Sequence, residues 1–249
     1  MQSIKNIVFL AALLCYTYAE NPQLPAFIKK CNYKDKNLSG CIRLQIENSL
    51  PHFTKGIPEL GVPPTDPVNL DDIHIDGNGL KLTFTNAAMH GLGQSKLTQL
   101  RMDIGNEAED FTLAFKSNLS LTAKYNMDGK ILVLPIQGNG DALIKTENVE
   151  VNIQSKLAHV KNNKGELHLK LVTPNYKYDI ESTTFEFSNL FNGNKELADT
   201  TTTFANENWR QLMDDLAPPV IKQIVRTIIK AINKFFSKIP VEDIIDNFN

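Results

Sequence analysis

The chain has little cysteine, no long hydrophobic run and no excess of one charge, and each absence excludes a class of protein. Three cysteines in 249 residues are too few for a disulfide-dense scaffold. Beyond the N-terminal segment, every apolar stretch falls well short of the roughly 18 residues that a membrane-spanning helix needs. With 26 basic and 28 acidic residues the formal net charge is −2, which argues against a nucleic-acid partner and against attraction to anionic membranes.

Common catalytic and metal-binding motifs are also missing. The segment Gly91-Leu92-Gly93-Gln94-Ser95 places its serine after the second glycine, so it is not the nucleophile elbow of a hydrolase. Gly138-Asn139-Gly140 is followed by Leu143 where a dinucleotide-binding loop has its third glycine. The histidines are scattered singly, and the acids between residues 66 and 76 do not have calcium-loop spacing. We therefore predict no enzymatic activity, no metal site and no cofactor.

The N-terminus has the composition of a secretory signal. Lys5 precedes an apolar run from Ile7 to Leu14, and Thr17-Tyr18-Ala19 supplies small residues at the usual cleavage positions. We predict a signal peptide over residues 1–19 and a secreted, extracellular protein; the alternative is an uncleaved anchor. The remaining residues, 20–249, are enough to bury a large core as a single domain.

In a secreted protein, two cysteines and two asparagines of this chain are candidates for covalent modification. Cys15 lies inside the predicted signal, so Cys31 and Cys41 remain as an even pair that we expect to form a disulfide in an oxidising compartment. Zinc is not expected there, because no second cysteine pair or closely spaced histidines stand nearby. Asn37 and Asn118 each begin an Asn-Leu-Ser sequon and are candidate glycosylation sites.

Hydrophobic periodicity first predicts a helix and then a series of strands. Apolar residues from Leu38 to Phe53 recur every three or four positions, as in an amphipathic helix. From Leu80 to Phe187 the apolar period is two, which predicts half-buried strands. Short turn signals favour antiparallel hairpins; they stand at 128–129, 138–140 and 163–165.

A long helical pattern closes the sequence. Apolar residues from Trp209 to Ile239 repeat at helical spacing, and Pro218-Pro219 predict a kink or a restart within it. A sheet that is apolar on one face needs a cover, and this helix supplies one. Since one helix covers less apolar surface than a large curved sheet offers, a cavity beside the helix is one interpretation; ordinary core packing is the other.

A proline-rich connector lies between the first helix and the first long strand. The segment from Gly56 to Ile75 reads GIPELGVPPTDPVNLDDIHI. Each of its prolines fixes φ and removes a backbone donor, so we expect the segment to run extended as a rigid connector and assign no ligand chemistry to the prolines. These prolines are Pro58, Pro63, Pro64 and Pro67.

Five features, taken in order, resemble the insect takeout and haemolymph juvenile-hormone-binding protein family. They are the Cys31 and Cys41 pair, the connector 56–75, the strand pair 127–140, the block 185–193 and the helix entry Asn206-Glu207-Asn208-Trp209. The family is similar in fold to tubular lipid-binding proteins. The resemblance therefore implies an α+β protein whose long C-terminal helix is wrapped by a strongly curved antiparallel β-sheet, forming an apolar tunnel.

The same resemblance implies a carrier for a small, elongated, apolar ligand, such as juvenile hormone, another terpenoid or a fatty-acid-like molecule. Haemolymph carriers of juvenile hormone usually have a second disulfide, which this chain lacks, so it looks more like the takeout branch, which is linked to feeding, circadian and chemosensory behaviour. Two alternatives remain open: a lipid-transfer protein acting at membranes, and a secreted interaction protein with no essential ligand. A receptor or membrane acceptor is not identified.

We expect ligand contacts from inward-facing positions of the strands and the long helix. These are Leu82, Phe84, Phe111, Leu113, Phe115, Leu132, Leu134, Val151, Ile153, Leu169, Tyr178, Phe185, Phe187, Trp209, Leu212, Leu216, Ile221, Val225 and Ile228. Polar contacts have five candidates, each of which is alternatively a core or rim residue: Tyr125, Tyr176, Tyr178, Thr202 and Trp209.

Overall fold

A computed structural model describes residues 23–104 and 109–248; the predicted signal peptide, residues 1–19, lies outside them. In chain order the helices and strands are β1 (Cys31–Asn32), α1 (Leu38–Phe53), β2 (Val68–Asn69), β3 (Ile73–Gly77), β4 (Leu80–His90), β5 (Lys96–Met102), β6 (Glu109–Ile131), β7 (Leu134–Lys161), β8 (Leu167–Asp179), β9 (Ser182–Phe187), α2 (Lys195–Glu207), α3 (Trp209–Phe236), α4 (Val241–Ile244) and β10 (Ile245–Asp246). Short 3-10 turns occur at Pro58–Leu60, Leu92–Gln94 and Phe191–Gly193.

A hairpin of two very long strands, β6 and β7, forms the centre of an eight-stranded antiparallel sheet. Each outer edge of this hairpin carries two shorter strands end to end, β4 and β5 on β6, and β8 and β9 on β7. β2 and β3 pair with the far edge of β4. The strand order ends at β2 and β8, so the sheet stays open.

Bulges explain the curvature of these long strands. Register shifts interrupt β4, β5, β6 and β7, and each extra residue bends a strand and increases its twist. In β7 the inward positions change from even to odd numbers between Thr146 and Val149, where Asn148 has a φ of 49°. A strand of this length can therefore keep one face toward the core while the sheet curves around the helix.

Two of the predicted turns are wrong, because residues 128–129 and 138–140 lie inside β6 and β7. The hairpin turns at Leu132-Val133 instead. Gly140 serves close packing: a Cβ there would lie 2.5 Å from the Ser188 hydroxyl oxygen and 2.8 Å from its carbonyl oxygen. The predicted turn at 163–165 is confirmed between β7 and β8.

The long C-terminal helix α3 has 28 residues, packs against β3, β8 and β9, and spans about 42 Å at ~1.5 Å per residue. Of the kink or restart predicted at Pro218-Pro219, the restart is wrong, because the helix continues through both prolines. Leu216, Ala217 and Val220 around them are buried, so packing holds the helix where two backbone donors are missing. The α+β architecture, with this helix against a curved antiparallel sheet, is confirmed.

Side-chain amides join the helices to strand backbones. Asn233 in α3 accepts from the Leu171 N–H at 2.7 Å and donates to the Leu171 carbonyl at 2.9 Å, on the outer edge of β8. Gln223 makes the same pair of bonds with Asp71, next to β3. These amides satisfy backbone groups that an open sheet would otherwise leave unpaired, and they connect α3 to both sides of the sheet.

The proline-rich connector leads from α1 into the sheet as expected, but it is not extended throughout. Ile57 and Val62 exchange backbone hydrogen bonds of 3.0 and 3.1 Å around the Pro58–Leu60 turn. Gly61 closes this loop with a φ of 64°, which glycine adopts without strain. The prolines therefore fix a compact loop first, and the chain extends only after it.

The predicted disulfide is confirmed between Cys31 and Cys41, whose Cα atoms are 5.9 Å apart. It links β1 to the first turns of α1. β1 in turn pairs in parallel with β10, so that Cys31 lies opposite Ile245. The segment before α1, α1 itself and the segment after α3 thus meet at one end of the fold.

Candidate ligand-binding cavity

An apolar cavity of about 470 Å³ lies where α1, the C-terminal part of α3 and the β5–β6 face meet. One face of α1 forms the first wall, with side chains at positions i, i+3, i+4, i+7, i+8 and i+11. These are Ile42, Gln45, Ile46, Ser49, Leu50 and Phe53. The spacing places all six on the same side of the helix.

The sheet and α3 form the other walls. Phe111, Leu113 and Phe115 alternate along β6 and therefore share one face. From α3 come Ile228, Ala231, Ile232, Phe235 and Phe236. Ile28, Cys31, Ile244 and Ile245, around the β1–β10 pair, complete the lining at the end of the fold.

Most polar groups of the lining already have partners. The Ser49 hydroxyl donates to the Gln45 carbonyl, and the Thr54 hydroxyl donates to the Leu50 carbonyl at 3.0 Å. The Gln45 side-chain oxygen accepts from the backbone N–H of Lys29 at 2.9 Å. The charged lining residues Lys29, Glu47 and Lys96 are exposed, which places their charges at the solvent side of the cavity.

Ser95 differs from Ser49 and Thr54 in this respect. Within the described residues, its buried hydroxyl oxygen has no hydrogen-bond partner. Ser95 follows the Leu92–Gln94 turn, which the Asp66 carboxylate holds by accepting from the N–H groups of Gly91 at 3.1 Å and Gly93 at 2.7 Å. The Ser117 hydroxyl also donates to the Gly91 carbonyl at 2.7 Å. The connector therefore braces the loop that carries Ser95.

Four of the nineteen predicted contact residues line this cavity: Phe111, Leu113, Phe115 and Ile228. The others lie elsewhere. Leu82, Phe84, Val151, Ile153, Leu169, Phe185, Leu212, Leu216, Ile221 and Val225 are buried between the sheet and the helices. Half-buried positions outside the lining are Leu132, Leu134, Tyr178, Phe187 and Trp209.

The candidate polar contacts Tyr125, Tyr176, Tyr178, Thr202 and Trp209 are not among the lining residues. The Tyr125 hydroxyl donates to the Ser188 carbonyl at 2.6 Å, and burial raises the pKa of this phenol to about 12. The pKa of Tyr178 is also raised, chiefly by burial and to a lesser degree by Tyr176 and Asp214. Both phenols are neutral at physiological pH.

The contacts predicted from the sequence do not include the α1 wall of the cavity, although the apolar periodicity of this helix is visible in the sequence. The apolar positions Ile42, Ile46, Leu50 and Phe53 had predicted the helix, but their period does not tell which surface they face. Ser95 was considered only as a nucleophile, and no local pattern marks a hydroxyl that is buried without a partner.

Within residues 23–104 and 109–248, no cluster of three or more metal-ligating side chains occurs. No helix of this described part is both long and apolar enough to cross a membrane. His168 is buried, but its Nδ1 lies 2.8 Å from the Phe236 carbonyl and its Nε2 lies 3.1 Å from the Asn162 amide nitrogen, which gives it a structural environment.

The fold and the cavity together define a class of α+β proteins in which a long helix lies on a curved antiparallel sheet and an apolar cavity opens between them. The chain belongs to the haemolymph juvenile hormone binding protein (JHBP) family, whose model matches residues 8–246. This is a family of binding proteins for small hydrophobic ligands, not one defined by catalysis.

Similar proteins come from flies and a moth. The circadian clock-controlled protein daywake of Drosophila melanogaster is 28% identical over 229 residues, which cover 88% of this chain and 87% of that protein. Daywake of Drosophila yakuba is 27% identical with the same coverage. The crystal structure of Epiphyas postvittana Takeout 1 superposes with a TM-score of 0.80 at 30% identity, covering 88% of this chain and all of that one.

Proposed function

We propose that residues 20–249, released from a signal peptide, form a secreted carrier that binds one small, elongated, apolar molecule in the cavity between α1, α3 and the β5–β6 face. The observation that carries the proposal is the cavity itself. Its volume of about 470 Å³ lies within the usual range of small-molecule sites, and its walls are mainly aliphatic and aromatic. An empty apolar cavity is unfavourable, so a bound apolar molecule stabilises the fold.

An energy estimate limits what apolar contact alone achieves. Burying on the order of 400 Å² of ligand at ~25 cal/mol per Å² contributes about 10 kcal/mol, and association costs at least about 4. The remaining ~6 kcal/mol corresponds to a dissociation constant of tens of micromolar. Tighter or more selective binding therefore requires a polar contact inside the cavity. Juvenile hormone, other terpenoids and fatty-acid-like molecules all satisfy the apolar requirement.

Displacement of a fluorescent fatty-acid probe from the delipidated protein tests the proposal. Two half-buried leucines of the long hairpin offer a matched pair, since Leu113 lines the cavity and Leu134 does not. Leu113→Glu introduces a charge that an apolar ligand leaves unsolvated, so we expect probe affinity to fall at least about tenfold. Leu134→Glu should leave the affinity within about twofold of wild type.

Both variants need circular dichroism and thermal unfolding to establish that they fold. Equal weakening by the two variants would contradict the assignment of the site. Native mass spectrometry of protein from insect cells provides an independent readout, and the absence of any bound lipid together with no probe binding would refute the carrier function. Exchange of labelled phospholipid between liposomes would instead indicate a lipid-transfer protein.

Secretion and glycosylation are part of the same proposal. Asn37 and Asn118 are both exposed, which supports their use as glycan acceptors. Asn118 Oδ1 accepts from the Asn148 N–H at 2.9 Å, which leaves its amide nitrogen for the glycan. A mass shift of the secreted protein on enzymatic deglycosylation, absent in Asn→Gln variants, is the expected result.

A role in circadian, feeding or chemosensory signalling is the physiological part of the proposal. It is supported by the two daywake relatives, which are described as circadian clock-controlled. We expect the amount of transcript or protein to oscillate over a day, and constant levels in both light–dark cycles and constant darkness would argue against circadian control.

A further inference from the structure

We propose that the tip of the β6–β7 hairpin is a membrane-docking site, which inserts its apolar side chains into the surface layer of a zwitterionic phospholipid membrane. The hairpin tip comprises residues 130–136, with the sequence Lys-Ile-Leu-Val-Leu-Pro-Ile. It lies outside the lining of the cavity, which borders the opposite end of β6. The docking site therefore goes beyond the carrier function and does not depend on it.

The exposure of the turn is the first observation. Val133 is 77% exposed, the largest value among the exposed large hydrophobic residues of the described chain. Its neighbours Leu132 and Leu134 are half-buried, so each also presents part of its side chain to solvent. Single exposed apolar residues are common, but a run of three at a turn is unusual outside functional sites.

The backbone of the turn is the second observation. Leu132 has a φ of 53° in a two-residue turn, where glycine, asparagine and aspartate are favoured because they adopt this conformation at the lowest cost. Six of the nine described non-glycine residues with positive φ are asparagines, so the chain uses the ordinary solution at most such positions. The Leu132-Val133 turn is unfavourable both in backbone conformation and in solvation, and strain of this kind is typical of functional segments.

The pairing of the strands shows that the hairpin tip projects from the sheet. On the β6 edge, the last described backbone bond joins the Lys130 N–H to the Gly79 carbonyl at 3.0 Å. On the β7 edge, the last described pairing is the bridge between Gly138 and Leu190. Residues 131–136 therefore extend beyond the neighbouring backbone on both edges, as an inserting tip requires.

The polar groups of the hairpin tip are compatible with a lipid surface. Lys130 is the one charged residue between Asp128 and Asp141, so no carboxylate has to enter the membrane with the tip. Lys130 is exposed, and its long side chain can keep the ammonium group at the level of the phosphates. Ile131 pairs with Leu134, so the strand ends at the turn satisfy each other's backbone groups and not those of lipid.

The small size of the hairpin tip favours lipid over a protein partner. A specific protein interface buries roughly 800 Å² on each partner, which is more than three aliphatic side chains supply. Shallow insertion into a membrane surface has no such area requirement and increases with the apolar area that is buried. Since the formal net charge of the chain is −2, the binding is apolar in origin and does not need anionic lipid.

Centrifugation with sucrose-loaded phosphatidylcholine vesicles tests the docking site. Wild type should bind weakly, with half of the protein bound at a lipid concentration on the order of 1 mM, because three aliphatic side chains bury fewer methylene groups than one acyl chain. Val133→Asp should weaken this binding at least about tenfold, since a carboxylate is costly to bury. Val160→Asp is the matched control: Val160 is exposed at the other end of β7, and its replacement should change binding by less than about twofold.

Two further variants keep the result independent of folding defects. Leu132→Asn combined with Val133→Gly creates the preferred two-residue hairpin turn, so this double variant should fold and still lose vesicle binding. Val133→Trp reports insertion directly. Its fluorescence should be quenched by phosphatidylcholine brominated on the acyl chains, whereas Val160→Trp should show no more quenching than wild type, whose single tryptophan is Trp209.

The outcomes separate docking from the carrier function. Docking is refuted if wild type does not sediment with the vesicles, if Val133→Asp and Val160→Asp bind equally well, or if the Asn-Gly double variant still binds. Loss of wild-type binding at high salt would identify charge attraction and overturn insertion. Displacement of the fluorescent fatty-acid probe should be the same in wild type and Val133→Asp. Intact probe binding without vesicle binding refutes docking alone, and vesicle binding without probe binding refutes the carrier alone.

Discussion

Removing the Ser95 hydroxyl, which is buried without a hydrogen-bond partner, should make the protein more stable. A buried hydroxyl without a partner costs about 1–3 kcal/mol, and alanine has no such group to desolvate. Ser95 is half-buried as a residue, and only its hydroxyl oxygen is fully buried without a partner. We therefore take the lower limit of about 1 kcal/mol as the cost of burying this oxygen. For a chain of this size that corresponds to a rise in Tm of about 2–4 °C.

Differential scanning calorimetry of delipidated wild type and Ser95→Ala measures this effect. Ser49→Ala is the matched control, because it removes a hydroxyl that has a partner and should lower stability by about 0.5–1.5 kcal/mol. If Ser95→Ala lowers the Tm of the ligand-free protein as Ser49→Ala does, the Ser95 hydroxyl is satisfied in the free protein and the reasoning is refuted.

Two further predictions concern the fold. Asn233→Leu removes the hydrogen-bond partners of the Leu171 N–H and carbonyl, so it should lower the free energy of unfolding in urea by about 2 kcal/mol. The control Lys222→Leu, at an exposed position of the same helix, should lower it by less than about 0.5 kcal/mol. The pKa of the Tyr125 phenol is raised to about 12 in the folded state, against an ordinary value of 10. Between these two pH values the folded state retains the phenol proton, whereas the unfolded state loses it. Stability from this group is therefore complete below pH 10 and is lost as pH rises toward 12, by at most about 1.4 kcal/mol per pH unit. Tyr125→Phe should show a shallower decline between pH 9 and pH 11 than wild type.

Each of these predictions has a clear contrary result. Equal effects of Asn233→Leu and Lys222→Leu would mean that the amide does not join α3 to the strand edge. Identical slopes of stability against pH for wild type and Tyr125→Phe would mean that this phenol does not titrate differently in the folded and unfolded states.

The sequence predicted the elements of the fold better than their ends. The apolar period placed α1 at Leu38–Phe53, and the long helical pattern from Trp209 led to α3. The pattern at Gly138 and Gly140 predicts a turn, because a local pattern does not distinguish a turn from a close approach of another backbone. The approaching backbone is that of Ser188 to Leu190, about fifty residues away in the chain, and only the folded structure brings it there.

The sequence pattern indicates an apolar face on α3 but not which of its residues line the cavity. Val225 and Ile228 belong to the same apolar face of α3, yet only Ile228 lines the cavity. The difference comes from α1, which packs near the C-terminal part of α3. The ring centroids of Phe53 in α1 and Phe235 in α3 are 5.9 Å apart. Helical spacing identifies a buried face, whereas the division of that face into core and cavity depends on a neighbouring element.

The pairing of β1 with β10 determines when during folding the cavity is complete. Cys31 and Ile245 both line the cavity, and more than 200 residues of chain separate them. The cavity wall is therefore incomplete until nearly the whole chain has been synthesised and α3 has packed on the sheet. In the proposed carrier, ligand loading therefore follows folding and cannot begin on a growing chain.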